Sequence, residues 1–477
     1  MTKEDEQMEQ ELPKTVQTGK NTLWLVATGF FYFFLIIGSY YFMRPLRSTY
    51  FLCVSESKNL SLFNIATMLS LIPLNAIYSF IAKRFKREYF VPLITLAISL
   101  CIPAFKFSLG SLNIESCTPA SATSLQFFLS LLFYIYVSIF SVLNISIFWS
   151  LLHDIFTLEM SKKYYALIGY GGLLGGIAGS YAMKNLSGII TDSSNLLYIA
   201  FLCHLPTVFL AILLNKMDPG LREQEVARIE KKSEFDKADK EKPENETDSS
   251  KTKDFMSGLI TVISTPLLIL MALEMFTYTA SSSLYGQQFN SLVEKLVERG
   301  PKRTEFFATI EFWTNLLSLV SQGLLTWLCM RFLSAPVTGL MVMSIIQLVP
   351  SVFILLTSMT PGSVLTTVSY TMIAVRAIEF STGRILRESI YVPLPYDARY
   401  QGKNFIDTVM FRVGSGVSAL LLFAAMRYFG YGKWINICII LIMLAQLYIL
   451  FAAGREYLKH LKNSRQTHKG EIIDDIG

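Results

Sequence analysis

The sequence predicts an all-α integral membrane protein whose twelve transmembrane helices form two groups of six. Three observations support this prediction. Apolar residues make up 52% of the 477 residues, long stretches lack charged side chains, and one charged segment divides the chain near its middle. Charged residues are only 16% of the chain, against roughly 25% in soluble proteins. Because so few charges would leave large apolar patches exposed to water, the composition argues against an ordinary soluble enzyme.

Twelve stretches are apolar enough to cross a bilayer, which takes about 20 residues. Six precede the charged segment, at 21–43, 59–82, 89–105, 116–153, 164–183 and 193–215. Six follow it, at 255–273, 312–330, 332–360, 361–387, 405–427 and 434–454. The ninth and tenth belong to one long stretch, which we divide at Pro361 and Gly362 because it exceeds the length of a single span.

The charged segment is the one linker that the sequence indicates. It contains charges of both signs and shows no repeating apolar face, which is typical of a disordered or partly helical connector. The predicted organisation is a cytoplasmic tail at 1–21, a six-helix bundle at 22–216, a cytoplasmic linker at 217–255, a six-helix bundle at 256–455 and a cytoplasmic tail at 456–477. A 6+6 arrangement with a long central loop is the layout of major-facilitator transporters.

The distribution of Lys and Arg predicts the orientation. These residues concentrate in alternate loops and at both ends, and the basic turn 83–87 is the clearest case. Since Lys and Arg favour cytoplasmic loops, we expect both termini in the cytoplasm. The first twelve residues are polar and acidic, and no small-residue cleavage site follows the first apolar stretch. We therefore expect the first span to remain in the membrane and not to be a signal peptide.

Several kinds of site find no support in the sequence. The net charge of +6 is small and no basic, aromatic-rich stripe is present, so we expect no nucleic-acid partner. The six cysteines are scattered without a CxxC pair, and there are four histidines, so we expect no metal site and no cofactor. The sequence shows no nucleophile–base pair, so we do not expect an enzyme. His153 and Asp154 end the fourth span, where we expect an interface or gating role.

Two arginines at the end of the first span are the first candidates for a functional site. Arg44 and Arg47 are three residues apart and therefore share a helix face. A charge at membrane depth costs roughly 2.5–3.5 kcal/mol, so we expect a cavity-facing anion site. The alternative is that both side chains snorkel to the membrane surface. Pro45 lies between them and predicts a local loosening of the helix.

The tenth span contains Arg376, Glu379, Arg384, Arg387 and Glu388. At 100° per residue, the first four share one face, which predicts that they contribute to the same anion site. The alternative is a cytoplasmic helix end with an internal ion pair, and this suits Arg387 and Glu388 best.

Two further carboxylates, Glu274 and Glu311, lie in polar stripes on the seventh and eighth spans. Each could pair with a cavity arginine or bind a proton, or it could form hydrogen bonds between helices. The fifth span contains Gly171, Gly175 and Gly179. This small-residue spacing predicts close helix packing, because the features of a nucleotide-binding glycine loop are absent.

Four segments resemble the ATP/ADP translocase family of bacterial and plastid nucleotide transporters. The segment 44–47 resembles its Arg-x-x-Lys/Arg motif, and 156–166, with Lys163, resembles its junction between spans four and five. The segments 387–394 and 402–408, with Lys403 and Asp407, resemble its junction between spans ten and eleven. The matches follow one another in order over most of the chain.

The resemblance implies a twelve-span exchanger of ATP for ADP and, for this chain, a location in a bacterial inner membrane. By position, Arg47 would bind phosphate in place of a lysine and Glu274 would line the site. The glutamate expected in span four falls at Val137. The lysine expected in span eleven falls near Ser415, and Arg412 instead matches a divergent bacterial branch of the family.

The leading hypothesis is a monomeric transporter of a phosphorylated anion, most simply a nucleotide, whose partners are that small molecule and the lipid bilayer. The expected substrate-binding residues are Arg44, Arg47, Glu274, Arg376, Glu379, Arg384 and Arg412. The expected gating or structural residues are His153, Asp154, Lys163, Glu311, Arg387, Glu388, Lys403 and Asp407. Glu274 and Glu379 are expected to offset the charge of the empty site. The rival hypotheses are a proton-coupled transporter of another organic solute, and a scaffold that acts through the charged linker.

Overall fold

The structure is a computed structural model of the chain. It describes residues 19–113, 118–156, 158–190, 192–217, 260–332, 336–391, 393–394, 402–403, 406 and 411–474. Within these ranges the chain is helical and forms no β-strand. The predicted linker lies outside the described residues apart from Met217, and so does most of the predicted N-terminal tail.

The described part of the N-terminal half, before the linker, contains seven α-helices. These are α1 (Gly19–Val54), α2 (Leu60–Arg84), α3 (Arg87–Ser111), α4 (Ser124–Ile155), α5 (Leu158–Ser187), α6 (Leu196–His204) and α7 (Pro206–Lys216). The last two together cover the sixth predicted span. They are separated at Pro206 because proline has no backbone N–H to continue the hydrogen-bond ladder.

The described C-terminal half contains eight helices and two π-helical turns. The helices are α8 (Pro266–Leu296), α9 (Pro301–Val320), α10 (Thr326–Phe332), α11 (Pro336–Leu356), α12 (Pro361–Ile378), α13 (Arg384–Tyr391), α14 (Phe411–Phe429) and α15 (Trp434–Asp474). One π-helical turn, Ser321–Leu325, joins α9 to α10, and the other, Glu379–Gly383, joins α12 to α13.

Eight of the described spans are long and apolar enough to cross a membrane. They lie in α1, α3, α4, α5, α6 with α7, α8, α11 and α15. The protein is therefore an all-helical, multi-pass integral membrane protein, as the composition predicts.

Several helix boundaries differ from the predicted ones, and two of them concern the charged residues singled out above. Helix α8 begins at Pro266 and continues to Leu296, whereas charge-free stretches place this span at 255–273. The charge-free stretch stops before Glu274, and a charge commonly marks the end of a membrane span. Here, however, Glu274 lies within the helix and its side chain is buried. Helix α1 continues past Arg47 to Val54 without a break at Pro45, so the predicted loosening is not observed.

Helix α1 packs closely against the glycine face of α5. A Cβ atom on any of the three glycines would overlap a backbone carbonyl oxygen of α1, and the affected pairs are Gly171 with Phe30, Gly175 with Phe34, and Gly179 with Gly38. Both sets advance by four residues, which is about one helical turn. The glycines allow the two backbones to meet, which confirms the predicted packing role.

Candidate functional site

The predicted anion-binding residues Arg44, Arg47 and Arg376, called here the arginine cluster, line one cavity together with Glu311. The cavity has a volume of about 240 Å³. A single water needs only about 15 Å³, so the space suits a small molecule. Helix α1 supplies two of these arginines, α12 supplies the third, and α9 supplies the carboxylate. The cavity therefore lies between the two halves of the chain.

Glu311 bridges two arginines from different halves. One carboxylate oxygen, Oε2, lies 3.0 Å from Arg44 Nη1, and the other, Oε1, lies 3.3 Å from Arg376 Nη1. The carboxylate side chain is only 8% exposed. Since a buried charge is stable only when it is paired, the two arginines compensate the charge of Glu311 within the cavity.

Arg47 is held differently from the other two arginines. Its guanidinium lies over the ring of Tyr134, with the central carbon 4.6 Å from the ring centre, and its Nη1 donates to Ser138 Oγ at 2.9 Å. Its Nε is buried and has no hydrogen-bond partner among the described residues. Because five N–H groups are present on a guanidinium, Arg47 retains donors for an anionic ligand.

The cavity has an excess of positive charge. Three guanidinium groups line it, and the one carboxylate in its lining is Glu311. Guanidinium groups bind carboxylates and phosphates through paired, charge-assisted hydrogen bonds. The arrangement can therefore hold a phosphorylated or carboxylated small molecule between the two halves.

Glu274 and Glu379, expected beside the cavity arginines, instead share Arg387 in a second buried cluster, called here the Arg387 triad. Arg387 Nε donates to Glu274 Oε2 at 3.1 Å, and Nη2 donates to Glu379 Oε2 at 3.0 Å. A further short contact joins Arg387 Nη1 to Glu379. Gln446 on α15 donates to Glu274 at 3.4 Å. These three charged residues do not line the cavity.

The π-helical turn Glu379–Gly383 lies between Arg376 and Arg387 and changes the direction in which Arg387 points. In a regular α-helix the two arginines fall on one face. A π-helical turn has more residues per turn and changes the angular phase of everything that follows it. Arg376, before the turn, contacts Glu311, and Arg387, after the turn, contacts Glu274 on α8.

The remaining predicted residues that the structure describes do not line the cavity. Arg384, His153, Asp154, Lys163 and Glu388 are exposed. Two of the carboxylates form ion pairs, Asp154 with Arg87 at 3.7 Å and Glu388 with Lys403 at 2.7 Å. Asp407 and the side chain of Arg412 lie outside the described residues. Among the described residues, no group of three His, Cys, Asp or Glu side chains could hold a metal ion.

Sequence reasoning missed Tyr134 and Ser138, the partners of Arg47. They lie on α4 one turn before and one residue after Val137, the position singled out by the family resemblance. Val137 itself is buried in the apolar core of the N-terminal half. The spacing of Tyr134 and Ser138 by four residues could have indicated a shared helix face.

Sequence reasoning also missed Arg303, which is only 1% exposed. Its Nη2 donates to the carbonyl oxygens of Glu294 and Val297 at 3.2 and 3.0 Å, and its Nη1 donates to Leu52 O at 3.5 Å. These carbonyls belong to the ends of α8 and α1, where a helix leaves its last C=O groups without partners. One side chain thus caps two helices from different halves of the chain.

Ser57, just after α1, adds further bonds at the same end of the molecule. Its N–H donates to Glu294 Oε2 at 2.9 Å, its hydroxyl lies 3.0 Å from that of Ser291, and its carbonyl accepts from Gln287 at 2.8 Å. Together with Arg303, these bonds join the two halves on the side where α1 and α8 end. We call this set of contacts the α1–α8 seal.

The overall structure resembles solved membrane transporters. One is a bacterial homologue of the iron transporter ferroportin in an inward-facing state, with TM-score 0.58, 10% identity, and coverage of 93% of this chain and 99% of that chain. A bacterial homologue of the human lysosomal transporter Spinster, inward-facing and unoccupied, has TM-score 0.56 and 11% identity, with coverage of 92% of this chain and 98% of that chain. The xylose transporter XylE from E. coli, in an inward open conformation, has TM-score 0.55 and 11% identity, with coverage of 90% of this chain and 95% of that chain. The fold is therefore that of major-facilitator-type transporters.

None of the curated proteins matches the chain significantly. A family model does, and the matched residues extend from α4 into α15, so that they include Glu311, Arg376 and the Arg387 triad. The model describes the TLC ATP/ADP transporter and matches residues 121–459. With more than half of the sequence matched and a transporter fold, this membrane transporter belongs to the TLC ATP/ADP transporter family.

Proposed function

We propose that the protein exchanges nucleotides across a membrane, in the manner of an ATP/ADP antiporter, by alternating access of one central cavity. The single observation that supports this most strongly is the position of Glu311 between Arg44 and Arg376. An anion that enters the cavity meets two guanidinium groups whose present partner is an exchangeable carboxylate. A nucleotide phosphate offers them the same paired hydrogen bonds with more negative charge.

Binding and release then follow from competition between two anions for the same donors. The substrate phosphates displace Glu311 from Arg44 and Arg376, and Arg47 contributes a third guanidinium. When the substrate leaves, Glu311 returns and limits the charge of the empty cavity. The carboxylate that offsets the arginine cluster is therefore Glu311, since Glu274 and Glu379 bond to Arg387.

Exchange follows from the charge that remains when the cavity is empty. Among the described residues that line the cavity, three guanidinium groups face one carboxylate, which leaves an excess of two positive charges when the cavity is empty. Closing the protein on both sides of such an unpaired charged site is costly, and a bound polyanion removes this cost. The loaded carrier therefore changes its accessible side faster than the empty one, and uptake depends on a substrate on the other side.

The proposal retains the wider organisation that the sequence predicts. We propose twelve transmembrane helices in a 6+6 arrangement, with the predicted bundles at 22–216 and 256–455 and the linker at 217–255 between them. Both termini and the linker are placed in the cytoplasm, the location is a bacterial inner membrane, and the transporter acts as a monomer. Its ligands are nucleotides, and ATP is the expected one.

The decisive experiment is uptake of labelled ATP into proteoliposomes that contain the purified protein, with and without ADP inside. The proposal expects uptake that requires internal ADP and that falls to background in Arg44→Ala and Arg376→Ala. Lys302→Ala is the matched control, because Lys302 is an exposed cation outside the cavity that pairs with Glu298. Absence of uptake for a panel of nucleotides, with correctly folded protein, would reject nucleotide exchange.

A second candidate function is proton-coupled transport of another organic solute. The observation that favours it is the Arg387 triad, in which two buried carboxylates share one guanidinium. A proton on one carboxylate would remove the excess negative charge. This function expects uptake driven by a pH gradient without internal substrate, and loss of that driving force in Glu274→Gln or Glu379→Gln. A nucleotide exchanger without proton movement would exclude it.

A further inference from the structure

A large apolar groove runs between α3 and α7, away from the central cavity. It has a volume of about 790 Å³, within the range of roughly 300–1,000 Å³ that ligand pockets cover. Its walls are apolar and come from the first turns of α3 and from α7; they include Pro92, Leu93, Leu96, Val208 and Ile212. From Tyr89 to Leu96 the wall is about 10 Å long, enough for several carbons of an extended chain.

The open end of the groove is polar and positively charged. Lys216 lines it, and Lys86 immediately precedes α3. Arg87 Nε donates to Asn215 Oδ1 at 3.1 Å, which brings the basic turn before α3 next to the end of α7. Lys86 and Lys216 are both exposed and have no ion-pair partner among the described residues.

Neighbouring charges at the groove reduce this positive character only in part. Arg87 already has a carboxylate nearby, Asp154 at 3.7 Å. Glu88 lines the groove and is exposed. Lys86 and Lys216 outnumber it, so the mouth of the groove keeps a net positive charge. Tyr89 is 69% exposed beside it, as is typical of aromatic side chains at the membrane surface.

We infer that this groove binds one anionic phospholipid of the surrounding bilayer. Its acyl chain lies along the apolar wall, and Lys86 and Lys216 bind its headgroup phosphate. Basic residues at the membrane surface attract anionic lipids, and the groove adds a fixed place for the chain beside them. The site is separate from the arginine cluster, so the inference does not depend on the proposed function.

A second groove supplies an internal comparison. It lies between the first turns of α8 and the last part of α15, and measures about 540 Å³. Its Lys459 bonds to Glu456 at 2.6 Å, so one of its cations is already satisfied. We therefore expect anionic-lipid selectivity at the α3–α7 groove to exceed that at the α8–α15 groove.

The test measures lipid retained by the purified full-length protein, by native mass spectrometry. Phosphatidylglycerol and phosphatidylcholine with identical acyl chains are added in equal amounts. We expect preferential retention of phosphatidylglycerol. Its affinity should fall about 30-fold in the double variant Lys86→Ala/Lys216→Ala, because each lysine near the membrane surface contributes about 1 kcal/mol to the binding of an anionic lipid. Lys459→Ala and Lys302→Ala, which remove exposed lysines elsewhere, should leave retention unchanged.

Two further measurements distinguish binding of a whole lipid from binding of a free headgroup. Ile212→Trp fills the groove and should weaken retention of both lipids while all charges remain. Excess glycerol phosphate should not displace the lipid, because it lacks the chain. Equal retention of the two lipids by the wild type, a double variant that behaves like the wild type, or displacement by glycerol phosphate would each overturn the inference. A thermal melt of every variant confirms that it is folded.

Discussion

Glu311 on α9 and Arg44 on α1 form an ion pair, 3.0 Å long, that joins the two halves of the transporter across its central cavity. The same carboxylate reaches Arg376 on α12. A transporter of this fold must move its halves relative to one another. In the proposed mechanism the substrate replaces this charged contact, and this replacement links binding to movement.

The first prediction concerns Glu311→Gln. This change removes the anion that competes with substrate for Arg44 and Arg376, so substrate should bind more tightly and leave more slowly. A charge-assisted hydrogen bond contributes roughly 1.5–3 kcal/mol, so we expect KM to fall at least about tenfold and kcat to fall with it. Initial rates of exchange in proteoliposomes measure both.

The matched control for this prediction is Glu305→Gln, which removes a carboxylate from the same helix outside the cavity lining. Its KM and kcat should remain near those of the wild type. A rise in KM with unchanged kcat in Glu311→Gln would contradict competition between the carboxylate and the substrate.

A second prediction concerns the stability of the Arg387 triad. Arg387→Ala leaves the buried carboxylates of Glu274 and Glu379 without their shared partner. Breaking a buried ion pair on one side typically costs about 3–5 kcal/mol, so we expect a large drop in melting temperature in detergent. The exposed Arg384→Ala on the same helix is the control and should melt like the wild type.

The same triad allows a rescue. Combining Arg387→Met with Glu274→Gln and Glu379→Gln removes all three charges together and should recover most of the melting temperature, because no charge is then left unpaired. A triple variant that melts as low as Arg387→Ala would show that packing of the guanidinium, and not charge balance, stabilises this region.

A third prediction concerns the α1–α8 seal. Arg303→Ala removes the donors shared by the last carbonyls of α1 and α8, so the seal should open more often. The buried Cys53 lies next to Leu52 and serves as a native reporter. Its labelling by a membrane-impermeant thiol reagent, followed by mass spectrometry of its peptide, should rise at least severalfold.

Lys302→Ala is the control for the seal, because it changes the neighbouring exposed residue and leaves the Arg303 bonds in place. Arg303→Lys should behave like Arg303→Ala, since an ammonium cannot reproduce the fork of a guanidinium over carbonyls from two helices. Unchanged labelling of Cys53 in a folded Arg303→Ala protein would show that Arg303 is not needed to keep this side closed.

A fourth prediction concerns the contact between α1 and α5. Gly175→Ala places a methyl group on the carbonyl oxygen of Phe34, and overpacking of this kind typically costs about 1–3 kcal/mol. Gly169→Ala on the same helix meets no atom within 4 Å and should be neutral or slightly stabilising, because alanine favours helix. Melting temperatures of both variants test this, and equal values would contradict the close contact.

Much of the fold follows from composition and local spacing. Apolar stretches predict membrane helices because the bilayer requires their length and hydrophobicity wherever they lie in the fold. The glycine spacing of α5 predicts a close helix contact for the same local reason. The boundaries failed where a charge was read as the end of a span: Glu274 lies inside α8 because its charge is paired with Arg387.

By itself, the sequence determined the membrane class, the segments that become helices, and the residues whose charge is out of place in a membrane. The tertiary structure decided which of these charges meet. Glu311 joins Arg44 and Arg376, although more than two hundred residues separate Glu311 from Arg44 in the sequence. Arg387 turns toward Glu274 because a π-helical turn changes its direction. Ion pairs depend on distances between helices that are remote in sequence, and no periodicity within one helix contains that information.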